Sequence, residues 1–416
     1  MAGCGCDSDS EKVSLVPYDE ALENLLRFAR PVEQSESVTL TRCLNRILAT
    51  DVTSSINVPP AANSAMDGYA IRCSDIATSA NTRLQVTQRI PAGATGDPLQ
   101  AGTAARIFTG APLPAGADAV IMQEQVTVEG DFICFDAAVN SRQNIRDAGE
   151  DICADQTILT SGTQLRAQEL GLAASIGVSQ LSVTRKIRVG IFFTGDELVE
   201  PGQPLGPGKI YDSNRYTLTG LLQTMGCEIV DLGIVGDTLA LTEQAILDAT
   251  RQTDLVITSG GVSVGEEDHV RIALEKLGQL HMWRLRIKPG KPLAFGIVNN
   301  TAFMGLPGNP VSVFATFCLF VAPFIKKLQG RNKIYSESTR INAAFDWPKP
   351  DSRREFTRAR IGRDIDNRLQ ASLYPNQGSG VLMSTSWADG FVDIAENSVI
   401  KSGDPVNYLS FKDILE

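Results

Sequence analysis

The sequence predicts a multidomain chain of α/β plus β character: a doubly wound α/β domain, a β-rich inserted domain, a helical linking domain, and a small C-terminal β domain, sandwich or barrel. Three observations carry that prediction. The 416 residues exceed what one hydrophobic core organises, at roughly 100 to 200 residues per domain. Between 186 and 330, apolar strand-like runs alternate with helical patterns, the signature of a parallel sheet with helices on both faces. Between about 60 and 149, and again beyond Gly330, helical periodicity gives way to short β-like runs among Gly, Pro and Asp clusters.

In chain order, the first ten residues, MAGCGCDSDS, lack the charged and apolar regions of a secretory signal. Cys4 and Cys6 form either a redox or metal clip or, as such surroundings favour, part of a mobile tail. Tyr18, Leu22, Leu25, Leu26 and Ala29 recur at helical spacing, with acids in the first turn and Pro31 beyond the end. A second helix is expected in TRCLNRILATDV, and a third in TQLRAQELGLAASIG after the strands RLQVTQRI, AARIFTG and DAVIMQEQVTV. In the α/β part, IRVGIFF, CEIVDLGIV, DLVITSG and TAFMG read as strands, and RYTLTGLLQTMG, LTEQAILDATRQ, EEDHVRIALEKLG and the apolar stretch after Pro310 as helices. REFTRARIG, RLQASLYP, GFVDIAEN and PVNYLSF supply the terminal strands. The resulting division is a tail at 1–10, helical linking parts at 11–52 and 150–185, an inserted domain at 53–149, the α/β domain at 186–330 and the terminal domain at 331–416.

Composition narrows the function. A formal charge of −10 rules out a broad basic surface, so general nucleic-acid binding is not expected. No apolar run reaches the ~18 residues of a membrane span, so no membrane partner is expected. Eight scattered cysteines without a CxxC pair, and only two histidines, argue against structural zinc and for free thiols in a reducing, cytoplasmic setting.

Ligands of an open α/β sheet bind beyond the carboxyl ends of its strands, and four loops there carry polar motifs. They are Thr194-Gly195-Asp196-Glu197, Gly236-Asp237, Ser259-Gly260-Gly261-Val262-Ser263 leading to Asp268, and Pro307-Gly308-Asn309-Pro310. Glycines let a backbone approach phosphate closely, and a following helix offers free N–H groups. A single glycine pair is better read as a tight strand-to-helix turn without a ligand; convergence of several such loops is what points to a ligand. Carboxylates repel phosphate unless a cation intervenes, so Glu197, Asp237 and Asp268 are expected to face a Mg²⁺ on a di- or polyphosphate group, with helix capping as the alternative. Glu266 and Glu267 read as first-turn acids that complement the helix dipole. Arg284, Arg286, Lys288 and Lys291 crowd into MWRLRIKPGKP. Strand alternation would put the first three on one face, as an anion pocket or as a solvated edge strand. No Ser-His-Asp grouping, GxSxG or P-loop is present, and His269 and the cysteines read as structural.

In this order, NSAMDGYA, FTGAPLPAGADAVI, IRDAGEDI, FTGDELV, TSGGVSVG, IKPGKP and LPGNPVS resemble the molybdopterin molybdenumtransferase family, which comprises bacterial MoeA and the E domains of a plant homologue and of gephyrin. The resemblance spans roughly residues 11 to 416 and implies a molybdopterin-binding-like α/β domain, a terminal β-barrel and a homodimer. The implied reaction is Mg²⁺-dependent insertion of molybdate into adenylylated molybdopterin, with release of AMP and molybdenum cofactor. Residues implicated in activity map to Asp67, Thr109, Asp151, Glu197, Asp237 and Asp268, with Pro307 and Pro310 shaping a turn. The implied molybdate site maps to Lys288, Lys291, Ser312, Arg358 and Ser379. Glu266 departs from the Asp the family often has there. A molybdopterin adenylyltransferase is the implied substrate donor. As alternatives, the chain could itself be that adenylyltransferase, which the MDGYA module argues against, or a non-catalytic scaffold like gephyrin.

Overall fold

The structure, a computed structural model, describes residues 15–77, 81–261 and 268–416, less the side chains of 282 and 283. Cys4, Cys6, Ser263, Glu266 and Glu267 lie outside the described residues. The chain forms two compact units: Ser37–Leu44 with Leu48–Ser182, and a larger one from Met1–Glu36, Asn45–Ile47 and Val183–Glu416.

The smaller unit is built on a six-stranded sheet in the order Ala119–Met122, Gly68–Ile71, Thr103–Ile107, Thr82–Ile90, Phe132–Phe135, Thr127–Glu129. Alternation along these strands fills two faces. Tyr69, Ile71, Leu84 and Ile133 pack on one, Ala70, Ile90, Ala105 and Val120 on the other. The helix expected over 41–52 does not form: one 3-10 turn, Leu40–Arg42, precedes Asn45, whose φ of 63° leaves helical space. Leu48 N–H then donates to Thr163 O at 2.9 Å, in an extended pairing. The helix at Ala167–Ser175 and the inserted strands fall where the sequence put them.

In the larger unit the α/β sheet comprises β1 (Arg188–Thr194), β2 (Glu228–Val235), β3 (Leu255–Ser259), β4 (Gln279–Arg284), β5 (Pro292–Val298) and β6 (Thr301–Leu306). Their order is β2-β1-β3-β6-β5-β4; the first four are parallel, while β5 and β4 extend the edge antiparallel. The central strands β1, β3 and β6 are buried along almost their whole length because they face helices on both sides, whereas the edge strand β2 is half-buried and exposes Glu228 and Asp231. Val189, Ile191 and Phe193 join the cluster beneath the helix Ser213–Thr224 and the long apolar helix. Phe192 points the other way, against Ala245, Ile246 and Ala249 of the helix Leu239–Thr250.

The long helix runs from Pro310 to Leu328, 19 residues with a π-helical turn at Phe317–Val321. By length and hydropathy it could cross a membrane, contrary to the expectation that no run was long enough, but 83% of it is buried inside the protein, as a core helix. The helix Tyr18–Leu26 packs against its end, and the Tyr18 ring sits 5.4 Å from Phe320 and 5.2 Å from Phe356.

The terminal strands Thr339–Ala343, Arg354–Arg363, Leu369–Leu373, Gly390–Ile394 and Pro405–Ser410 close into a five-stranded barrel, because Arg354–Arg363 pairs with both Leu369–Leu373 and Gly390–Ile394. Its interior holds Ile341, Ala359, Val392 and Tyr408, while Phe356 and Phe391 share a core with the α/β domain.

Candidate active site

All four polar loops singled out in the sequence follow the carboxyl ends of the four parallel strands. Strand order reverses between β1 and β3, where such sheets open a crevice. Gly260 and Gly261 turn the chain there at φ values of 95° and 64°, which side-chain-bearing residues rarely adopt. A Cβ on Gly260 would stand 3.0 Å from Thr194 O, so the end of β1 and this turn are in close contact. Asn214, at the start of a helix, ties the turns together: its Nδ2 donates to Ser259 Oγ at 2.9 Å and to Gly308 O at 2.8 Å. Ser259 Oγ donates in turn to Pro307 O at 3.1 Å.

These turns form one side of a cleft of about 640 Å³. Of the residues picked from the sequence, Glu197, Gly260, Gly261, Lys288, Lys291, Pro307, Gly308, Asn309, Ser312 and Ser379 line it. Thr194 and Ser259 are buried among them, and Pro310 opens the helix behind them. The barrel supplies the far wall through Arg353, Gln377, Gly378 and Ser379, and Ser379 O accepts from Val311 N–H at 3.0 Å.

Three placements differ from the sequence reading or add to it. Arg284, Arg286 and Lys288 do not share one strand: β4 ends at Arg284, Leu285 is fully buried, and Ile287–Lys288 pairs with the barrel strand Arg354–Arg363. Arg286 donates to Leu15 O, so of the expected cationic strip only Lys288 and Lys291 line the cleft. Arg358, 1% exposed, stands behind the far wall: its guanidinium donates to Ser384 Oγ at 3.0 Å and Gly378 O at 3.1 Å, and burial lowers its pKa to about 10. Arg353 and Asn214 carried no signal beyond an ordinary strand start and helix start.

Asp268 caps the helix His269–Leu277, accepting from Arg271 N–H at 3.0 Å, while its Oδ2 is buried without a hydrogen-bond partner among the described residues. Burial, with the charge of Asp237 adding to it, raises its carboxyl pKa to about 6. Among the described residues no three His, Cys, Asp or Glu side chains form a preformed metal cage. In the smaller unit Asp67 Oδ1 accepts from both Thr109 N–H and Thr109 Oγ at 2.8 Å, so two separately chosen residues form one pair and Thr109 lowers the Asp67 pKa. Asp151 is exposed in the same unit.

Known proteins match this chain over nearly its whole length. Family profiles describe the MoeA N-terminal region (domain I and II) over residues 16–177, a probable molybdopterin binding domain over 190–327 and the MoeA C-terminal region (domain IV) over 340–411. The chain is 41% identical to the molybdopterin molybdenumtransferase of Haemophilus influenzae, covering 96% of this chain and 100% of that protein. It is 34% identical to the Bacillus subtilis protein of the same name, covering 91% and 89%. The crystal structure of the molybdopterin biosynthesis MoeA protein from Pyrococcus horikoshii matches with a TM-score of 0.83 at 31% identity, over 95% of this chain and 100% of that one.

Proposed function

The chain belongs to the MoeA family of molybdopterin molybdenumtransferases, and we propose that it inserts molybdate into adenylylated molybdopterin, releasing AMP and molybdenum cofactor. The observation that carries this reading is the cleft, where Lys288, Lys291 and Arg353 share one volume with the turns at Gly260–Gly261 and Pro307–Asn309. Its size is that of a small-molecule site, roughly 300 to 1,000 Å³.

The reaction joins two anions, so the protein's task is to hold them together and offset their repulsion. In this reading the glycine turns offer backbone N–H groups to phosphate, and Lys288, Lys291, Ser312 and Ser379 bind the molybdate oxygens. Arg358 contributes by fixing the loop that carries Ser379. Magnesium fits the acids present: Asp268 has a buried oxygen without a partner among the described residues, Asp237 perturbs it electrostatically, and Glu197 lines the cleft. A Mg²⁺ held by one or two such carboxylates and substrate oxygens would neutralise phosphate charge. The working form is proposed to be a cytoplasmic homodimer supplied by a molybdopterin adenylyltransferase, with Asp67, Thr109 and Asp151 serving the reaction across protomers.

The test is AMP release from adenylylated molybdopterin as molybdate is added in the presence of Mg²⁺. Wild-type protein is expected to release AMP only with both, and Asp237→Ala or Asp268→Ala to lose that release while keeping the fold. Bound pterin with no turnover would point to a scaffold, and wild-type rates in both variants would sink the metal role.

A further inference from the structure

One carboxylate holds two of the three cations in the cleft. Asp351 Oδ2 accepts from Arg353 Nη2 at 2.9 Å, its Oδ1 accepts from Arg353 Nε at 3.1 Å, and the same Oδ2 lies 3.6 Å from Lys288 Nζ. Lys288 has a second partner, Glu355 Oε2 at 2.9 Å, its opposite number in the pairing of Ile287–Lys288 with Arg354–Arg363. The two acids differ. Glu355 is buried and also receives the indole N–H of Trp347 at 3.3 Å, so it is a fixed counter-ion. Asp351 is half-buried and touches the lining residues Lys288 and Arg353, and the donors that hold its carboxylate, the Arg353 guanidinium and backbone N–H, belong to a residue that is itself half-buried. Lys291 is exposed, with no carboxylate within ion-pair distance among the described residues.

A carboxylate presents two oxygens to the Arg353 fork in the geometry a tetrahedral oxyanion would use. We propose that Asp351 is an exchangeable counter-ion of the oxyanion site: it occupies the Arg353 fork and shares Lys288 until an incoming dianion takes both cations from it. Arg353 thereby becomes a further oxyanion-binding residue. Asp351 weakens the grip on free dianions, so that the anion is held firmly only when the second substrate adds its own contacts. This rests on the reading of the cleft as an oxyanion site.

The experiment is calorimetric titration of full-length protein with molybdate, and with perrhenate as a tetrahedral monoanion of similar shape. Asp351→Asn keeps an acceptor for the Arg353 N–H that closes the local turn at 3.0 Å, so the turn is retained. Removing one partly exposed competing charge is expected to tighten molybdate binding roughly fivefold, with a smaller gain for perrhenate because the attraction scales with ligand charge. Adding Arg353→Gln to that variant is expected to abolish the gain. Weaker binding of both anions in Asp351→Asn would mean that Asp351 only supports its neighbours, and would overturn the proposal. A gain that survives Arg353→Gln would remove the fork from it. No molybdate binding by the wild-type protein would overturn the oxyanion reading beneath.

Discussion

Gly290 stands between the two lysines of the cleft at a φ of 98°, and a Cβ there would lie 2.6 Å from Thr316 Oγ, itself buried without a partner among the described residues. Gly290→Ala therefore meets both a backbone and a steric obstacle. It is expected to cost about 1–3 kcal/mol of stability and to weaken molybdate binding by displacing Lys288 and Lys291, readable by chemical denaturation and titration on one preparation. At this scale the sequence was most informative where chemistry and punctuation coincide. Lys288 and Lys291 stand beside glycines or prolines that announce a shaped turn, and Glu197 lies two positions after Gly195. Arg353 has no such neighbour; it reaches the cleft only through a two-residue pairing of Ile287–Lys288 with a strand more than sixty positions on.

The helix from Pro310 to Leu328 shows what an element adds. Phe317, Phe320 and Phe324 are fully buried along it, and Phe320 meets the Tyr18 ring edge-on. Phe320→Ala leaves a large hole where three parts of the larger unit meet, at an expected cost of about 3–5 kcal/mol, measurable as a shift in denaturation midpoint without change in slope. Elements with long, uniform periodicity were legible: between 187 and 328 the expected strands and helices form, apart from the single strand expected through Arg284, Arg286 and Lys288. The failures lie where apolar spacing is short and the backbone answers to distant partners. TRCLNRIL has helical spacing, yet Asn45 turns left-handed and Leu48 bonds to Thr163. Arg284 and Arg286 alternate like a strand, but Leu285 is drawn into the core and the strand ends there.

The whole molecule carries separate cores in its two units, so calorimetry is expected to resolve two unfolding transitions. Lys326 offers a handle on one of them. It is 3% exposed, donates to Asp413 O at 3.1 Å, and burial lowers its ammonium pKa to about 8. The folded protein thus binds this proton less tightly than the unfolded chain. Its cost is fully present below about pH 8 and is relieved as pH rises towards the unfolded value near 10.5. Lys326→Met is expected to raise the transition of the larger unit by a few degrees at pH 7, leave the other in place, and lose its advantage by about pH 10. Ser336 Oγ, 3.2 Å from Asp413 O, keeps that carbonyl satisfied in the variant. The interleaving of the units along the chain also sets an order of events on the ribosome. Every residue of the smaller unit has been made by Ser182, whereas the helix Tyr18–Leu26 waits for Phe320 and Phe356 to cover Tyr18. Until those residues are made, the apolar face of that helix, Leu22, Leu25 and Leu26, has no seat, so the larger unit closes only after the smaller one is able to fold.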